Sequence, residues 1–160
     1  NAGINNLTSI NNTMLEELKN TFNVNFFSPY LITSYFLDKF REQNYGRIIN
    51  ISSVLGSYSK KYRSTYSSSK AALHSFTKSV VSETEGFNIL TNTISPGYIL
   101  TNLTTKNNTP DALSRIINTI PIKKLGESKE IAKWAYNLTI ENDYINGQEI
   151  IIDGGLTCTI

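Results

Sequence analysis

The chain is expected to fold as an α/β protein, the C-terminal half of a doubly wound parallel sheet. Three features predict this. Short β-branched runs alternate with longer segments of helical periodicity, the order that builds βαβ units. The run Arg47-Ile48-Ile49-Asn50-Ile51 suits a buried strand covered by helices. Three strands with their helices also leave one sheet edge without a partner, so these 160 residues are expected to be part of a larger sheet.

The elements follow in order. Apolar residues recur at helical spacing from about Met14 to Phe40, with Pro29 interrupting, which predicts two helices or one bent helix. Gly46 releases the chain into the first strand, and a loop follows through Gly56 to about Arg63. From about Ser64 to Glu85 the pattern is helical again, with Leu73, Phe76 and Val80 among the residues available for burial and Gly86 as a stop. Ile89 to Ile94 reads as a second strand closed by Pro96-Gly97, and Thr101 to Asn108 as an exposed loop or lid. A short helix is expected over Ala112 to Ile120. A longer one begins near Glu127 or Ser128, with Ile131, Trp134 and Leu138 on its apolar face. Gly147 precedes the last strand, Gln148 to Ile152, which Asp153-Gly154-Gly155 ends. No repeat or low-complexity linker divides the chain, so one domain is expected over residues 1–160.

Composition excludes several classes of function. A net charge of +2 without long single-sign runs gives no reason to expect a nucleic-acid or membrane partner. There is no uncharged apolar run of about 18 residues and no basic-then-apolar leader, so neither a membrane span nor a signal peptide is expected. Cys158 is the single cysteine, which rules out an internal disulfide and makes a reducing cytoplasm the expected setting. The Asn-x-Thr triplets at Asn6, Asn11, Asn102, Asn107 and Asn137 are read as unglycosylated surface in a chain rich in both residues. His74 is the only histidine, which removes a His-based metal cluster and a Ser-His-Asp triad from consideration.

The chemistry must therefore come from hydroxyls, amines, amides and carboxylates. Tyr66 and Lys70 lie four apart on a predicted helix and share one face. Tyr35 and Lys39 have the same spacing, but context separates the pairs. Thirteen residues before Tyr66 lies Ser53, at the C-terminal end of a predicted strand, where open parallel sheets bind ligands. Thirteen residues before Tyr35 lies Phe22, which offers no chemistry. A phenol titrates near 10, and a neighbouring ammonium favours its ionised form, so Lys70 is expected to lower the pKa of Tyr66. Ser53 can then hold a substrate oxygen within reach of the phenol. A hydride must come from a cofactor, since no side chain donates one.

These residues resemble the classical short-chain dehydrogenases/reductases, and the 3-oxoacyl-acyl-carrier-protein reductases among them most of all. The matching pieces are Asn1-Ala2-Gly3, Val24-Asn25-Phe26, Asn50-Ile51-Ser52-Ser53, Tyr66-Ser67-Ser68-Ser69-Lys70, Ser95-Pro96-Gly97-Tyr98-Ile99-Leu100-Thr101 and Ile145-Asn146-Gly147 leading to Asp153-Gly154-Gly155. They span the whole chain in order. The resemblance implies the later half of a Rossmann fold and NAD or NADP as cofactor. It makes Tyr66 the acid/base, Ser53 the residue orienting the substrate oxygen, and Lys70 the group that binds the nicotinamide ribose. Asn25 would kink its helix and hold a relay water, or else be an interior polar residue. Asn1, Ala2, Gly3, Pro96, Gly97, Ile99 and Thr101 would border the nicotinamide, although Pro96-Gly97 also reads as an ordinary strand-ending turn. Ser52 is not expected to be catalytic.

The family's glycine-rich phosphate turn is not found among the nine glycines and is expected to precede Asn1 in a longer protein. The substrate implied is a small ketone or secondary alcohol, a 3-oxoacyl thioester first and a sugar or polyol second. A homo-oligomer, dimer or tetramer, is also implied. A reading of a different class is a non-catalytic half that retains only assembly surfaces. Lys60, Lys61 and Arg63 edge the expected substrate mouth, either as a solvated loop or as an attraction for an anionic substrate.

Overall fold

The computed structural model describes residues 2–159. Its centre is a parallel sheet of three strands in the order β1-β2-β3, with β1 at Gly46–Ile51, β2 at Ile89–Pro96 and β3 at Glu149–Ile152. Gly46 lies opposite Ile89 and Ile51 opposite Ile94, while Thr93 faces Glu149. All three strands therefore end on the same edge, and the loops that leave this edge carry Ser53 and the Pro96–Thr101 segment.

The N-terminal helical region is one continuous stack of three pieces. Helix α1 (Leu15–Phe22) passes through a π-helical turn (Asn23–Phe27) into α2 (Ser28–Glu42). The irregularity therefore sits at Asn25 and not at Pro29. Proline in the first turn of a helix forfeits only an N–H that has no partner there, so Pro29 begins α2 without breaking it.

Helix α3 (Ser64–Glu83) crosses from β1 to β2, and Gly86 leaves it at a φ of 85°, a left-handed conformation that glycine adopts without strain. The segment expected to be an exposed loop contains a short helix, α4 (Asn102–Lys106), capped by the Thr101 hydroxyl. Helices α5 (Pro110–Thr119) and α6 (Ser128–Ile140) follow, the latter opened by a reciprocal Glu127/Glu130 capping box. Among the described residues, no helix is long and apolar enough to cross a membrane.

The interior is unusually polar for an α/β sheet. Leu73, Ile89, Ile94 and Ile120 are fully buried, but so are Thr21, Asn25, Thr77, Thr91, Asn92, Thr93, Ser69 and Ser95. Most of these groups find partners, as burial requires. Asn50 donates to Thr77 at 2.9 Å, and the Thr77 and Thr93 hydroxyls lie 2.8 Å apart, joining β1, α3 and β2 through side chains. Asn92 donates to the Ile145 carbonyl at 2.7 Å and accepts from the Gln148 amide at 3.0 Å, which positions β3.

Candidate active site

Ser53 leaves β1 in an extended conformation, and its Oγ accepts the Leu55 amide at 3.2 Å, capping the turn Val54–Gly56. Its neighbour Ser52 is committed elsewhere, with its hydroxyl donating to the Lys70 carbonyl at 3.0 Å. The two serines thus differ physically: Ser52 fastens β1 to α3, and Ser53 faces Tyr66.

Tyr66 and Lys70 lie on α3 one turn apart, with the Lys70 Nζ 5.8 Å from the centre of the Tyr66 ring. Ser53 and Tyr66 are each 8% exposed and Lys70 is 5% exposed. Nζ donates to the Ile51 carbonyl at 2.8 Å. Burial lowers the pKa of Lys70 to about 8 and raises that of Tyr66 above its ordinary value. The expected depression of Tyr66 by Lys70 is not what this chain displays. Desolvation dominates, and the groups opposing it are the Ser53 side chain and then the positive charge of Arg63. The Lys70 ammonium donates to the Ile51 carbonyl and is not among the groups that shift Tyr66.

Asn25 joins the site to the start of the chain. Its Oδ1 accepts the Ile4 N–H at 2.9 Å, and its Nδ2 donates to the Ile4 carbonyl and the Ser69 hydroxyl, both at 3.0 Å. Ser69 in turn donates to the Tyr66 carbonyl at 2.7 Å. These bonds fall on the π-helical turn and account for the kink expected there. They also bring Gly3 inward: a Cβ on Gly3 would lie 3.7 Å from Asn25 Oδ1 and 3.8 Å from Lys70 Nζ. Ala2 is exposed beside it, and Asn1 lies outside the described residues.

The Pro96–Thr101 segment leaves β2 on the same sheet edge. Gly97 donates its N–H to Ile152 at 2.9 Å, and a Cβ there would come within 2.8 Å of Asp153 Cα, so close backbone approach already requires glycine. Ile99 forms a parallel bridge to Gly126. Thr101 uses its hydroxyl to cap α4, accepting from Thr104 at 3.4 Å. Between these loops Lys60 donates to the Tyr98 hydroxyl at 2.9 Å.

Two residues have surroundings that the sequence did not reveal. The sequence groups Arg63 with Lys60 and Lys61, yet they are exposed whereas Arg63, the N-cap of α3, is buried. Its spacing of three from Tyr66 is the signal that could have separated it, since that spacing returns a helix to the same face. His74 lies one turn beyond Lys70, with Nε2 3.3 Å from the Ser95 hydroxyl and 3.5 Å from Glu149 Oε1. Ser57 donates to Glu149 Oε2 at 2.8 Å, so this cluster braces β3 against the loop after Ser53.

In chemical terms, two hydroxyls beside a buried ammonium can bind a carbonyl oxygen and exchange a proton with it. The family model described as enoyl-(acyl carrier protein) reductase matches residues 1–157. This chain belongs to the short-chain dehydrogenase/reductase family. An acetoacetyl-CoA reductase of Cupriavidus necator is 37% identical over 133 residues, covering 82% of this chain and 54% of that protein. A 3-oxoacyl-(acyl-carrier-protein) reductase of Haemophilus influenzae is 32% identical over 157 residues, covering 98% of this chain and 64% of that protein. The chain thus spans less than two thirds of the length of either relative. A solved 4-hydroxyisoleucine dehydrogenase mutant, complexed with NADH and succinate, matches with a TM-score of 0.91 at 31% identity, over 99% of this chain and 66% of that one.

Proposed function

We propose that the chain carries the reaction side of an NAD(P)-dependent oxidoreductase that interconverts a ketone and a secondary alcohol. The observation that carries this reading is the convergence of buried Ser53, Tyr66 and Lys70 where the sheet's strands end. Ser53 holds the substrate oxygen. Tyr66 gives that oxygen its proton as the alcohol forms and takes it back in the reverse direction. A raised pKa keeps the phenol protonated at neutral pH, the form that reduction needs.

The site suits a nicotinamide ribose. An ammonium has three donors, and the Ile51 carbonyl accepts from Lys70, so donors remain for ribose hydroxyls. Gly3 places no side chain between Lys70 and such a ligand. The nicotinamide, when bound, supplies or accepts the hydride. In this reading Ala2, Gly3, Pro96, Gly97, Ile99 and Thr101 border it, with Asn1 beside them, and the adenosine phosphates are held outside residues 1–160. Asn25 aligns the Ala2–Ile4 segment with α3 and keeps a lone pair on Oδ1 for a relay water.

The names of the two relatives support a 3-oxoacyl thioester as substrate, with a sugar or polyol as the second reading. Exposed Leu31, Ile32, Tyr35 and Phe36 on α2 support a homo-oligomer. The test uses the protein expressed from its complete gene. Acetoacetyl-CoA is expected to drive oxidation of NADH or NADPH, and Tyr66→Phe to lower kcat at least about 100-fold with an unchanged far-ultraviolet circular dichroism spectrum. Retained turnover in the variant would refute the assignment.

A further inference from the structure

The proton-transfer reading leaves Arg63 unused. Arg63 opens α3, and its carbonyl accepts the Ser67 N–H at 2.8 Å. It is 8% exposed, and its Nη1 is fully buried with no hydrogen-bond partner among the described residues. Nη1 carries two N–H donors of a group that stays charged in proteins, so its burial without an acceptor is unfavourable until a ligand offsets it. Among the described residues, none of the ion pairs includes Arg63. Burial lowers the pKa of the Arg63 guanidinium, and the titratable groups nearest to oppose this are two phenols, Tyr98 and Tyr66, which carry charge only when ionised. Tyr98 is fixed on that side by Lys60, and the first turn of α3 contains no acidic residue that would repel an anion.

We propose that Arg63 determines specificity by binding a carboxylate of the substrate, a few bonds from the carbon whose oxygen meets Ser53 and Tyr66. This rests on the reading of Ser53 and Tyr66 given above and adds small free oxo acids to the substrates of that site. Arg63 is the N-cap of the helix that carries Tyr66 three residues further on, and its charge is felt by the Tyr66 phenol, so one ligand reaching both side chains holds its oxygen and its carboxylate close together. Small 2-oxo and 3-oxo acids, and the hydroxy acids made from them, meet that condition. A carboxylate also matches the planar fork of a guanidinium with two parallel hydrogen bonds. In a thioester the corresponding carboxyl carbon is bonded to sulfur and uncharged, which leaves Arg63 unpaired.

The test is a calorimetric titration of the protein expressed from its complete gene, with acetoacetate and with its neutral methyl ester. Acetoacetate is expected to bind at least tenfold more tightly than the ester. Arg63→Met should erase that preference while changing the ester's affinity less than twofold, which also reports an intact fold, and Arg63→Lys should retain part of it. Equal affinities in the unmodified protein overturn the proposal. So does an absence of saturable acetoacetate binding, or a preference that survives Arg63→Met. Binding is read without turnover, so failure here leaves the Tyr66→Phe result standing, and failure of that result is seen separately.

Discussion

Lys70→Met isolates what it costs to keep an ammonium inside this site. The folded chain holds Lys70 at about 8, against 10.5 for an unburied lysine, because burial disfavours its charged form. The folded-state value is the lower one, so the penalty is fully present below pH 8 and vanishes as pH rises toward 10.5. Linkage then puts the penalty at about 3 kcal/mol at pH 7 and roughly 1.4 kcal/mol at pH 9.5. Methionine has similar length and no charge, so the variant lacks this dependence. It also lacks the bond to the Ile51 carbonyl, which is worth about 1.5–3 kcal/mol and offsets much of the gain at pH 7. The informative quantity is therefore the change with pH, in which that constant offset cancels. The unmodified protein should gain about 2 kcal/mol on Lys70→Met between pH 7 and pH 9.5. With a urea slope of about 1–3 kcal/mol/M, the separation between the two unfolding midpoints moves by roughly 1 M. Equilibrium urea unfolding at the two pH values reads this directly. A separation that stays constant would refute the claim that burial governs this lysine.

Three further substitutions separate packing from chemistry. Gly97→Ala should destabilise by about 1–3 kcal/mol, because its methyl group would press on Asp153 Cα at 2.8 Å, and a thermal melt would show it. Ser52→Ala should cost about 1 kcal/mol of stability through its lost bond to the Lys70 carbonyl. Ser53→Ala should cost a comparable amount through its lost bond to the Leu55 amide but, unlike Ser52→Ala, should also lower kcat. Steady-state kinetics beside denaturant unfolding checks the pair, and the reverse pattern would exchange the roles assigned to the two serines.

Local geometry explains which parts of this site could be read in advance. The spacing of Tyr66 and Lys70 is a property of one helix, and the place of Ser53 follows from the end of one strand, so three residues are brought together by adjacent elements of the chain. The turn at Asn25 differs. Pro29 is the visible interruption, but the backbone departs from α-helix because Asn25 bonds to Ile4 and Ser69, 21 and 44 residues away. The surroundings of Arg63 were hidden for a similar reason, since Lys60-Lys61-Tyr62-Arg63 has the composition of a solvated loop and only the tertiary fold buries its last member. Burial also reversed the expected electrostatics of Tyr66, which spacing alone had assigned to Lys70. These two departures are connected. In the chain alone, the charge of Arg63 favours the ionised phenol and so opposes desolvation. A carboxylate paired with Arg63 neutralises that influence and leaves Tyr66 more firmly protonated. Titration of the Tyr66 phenol with and without acetoacetate should therefore show its pKa rising on binding.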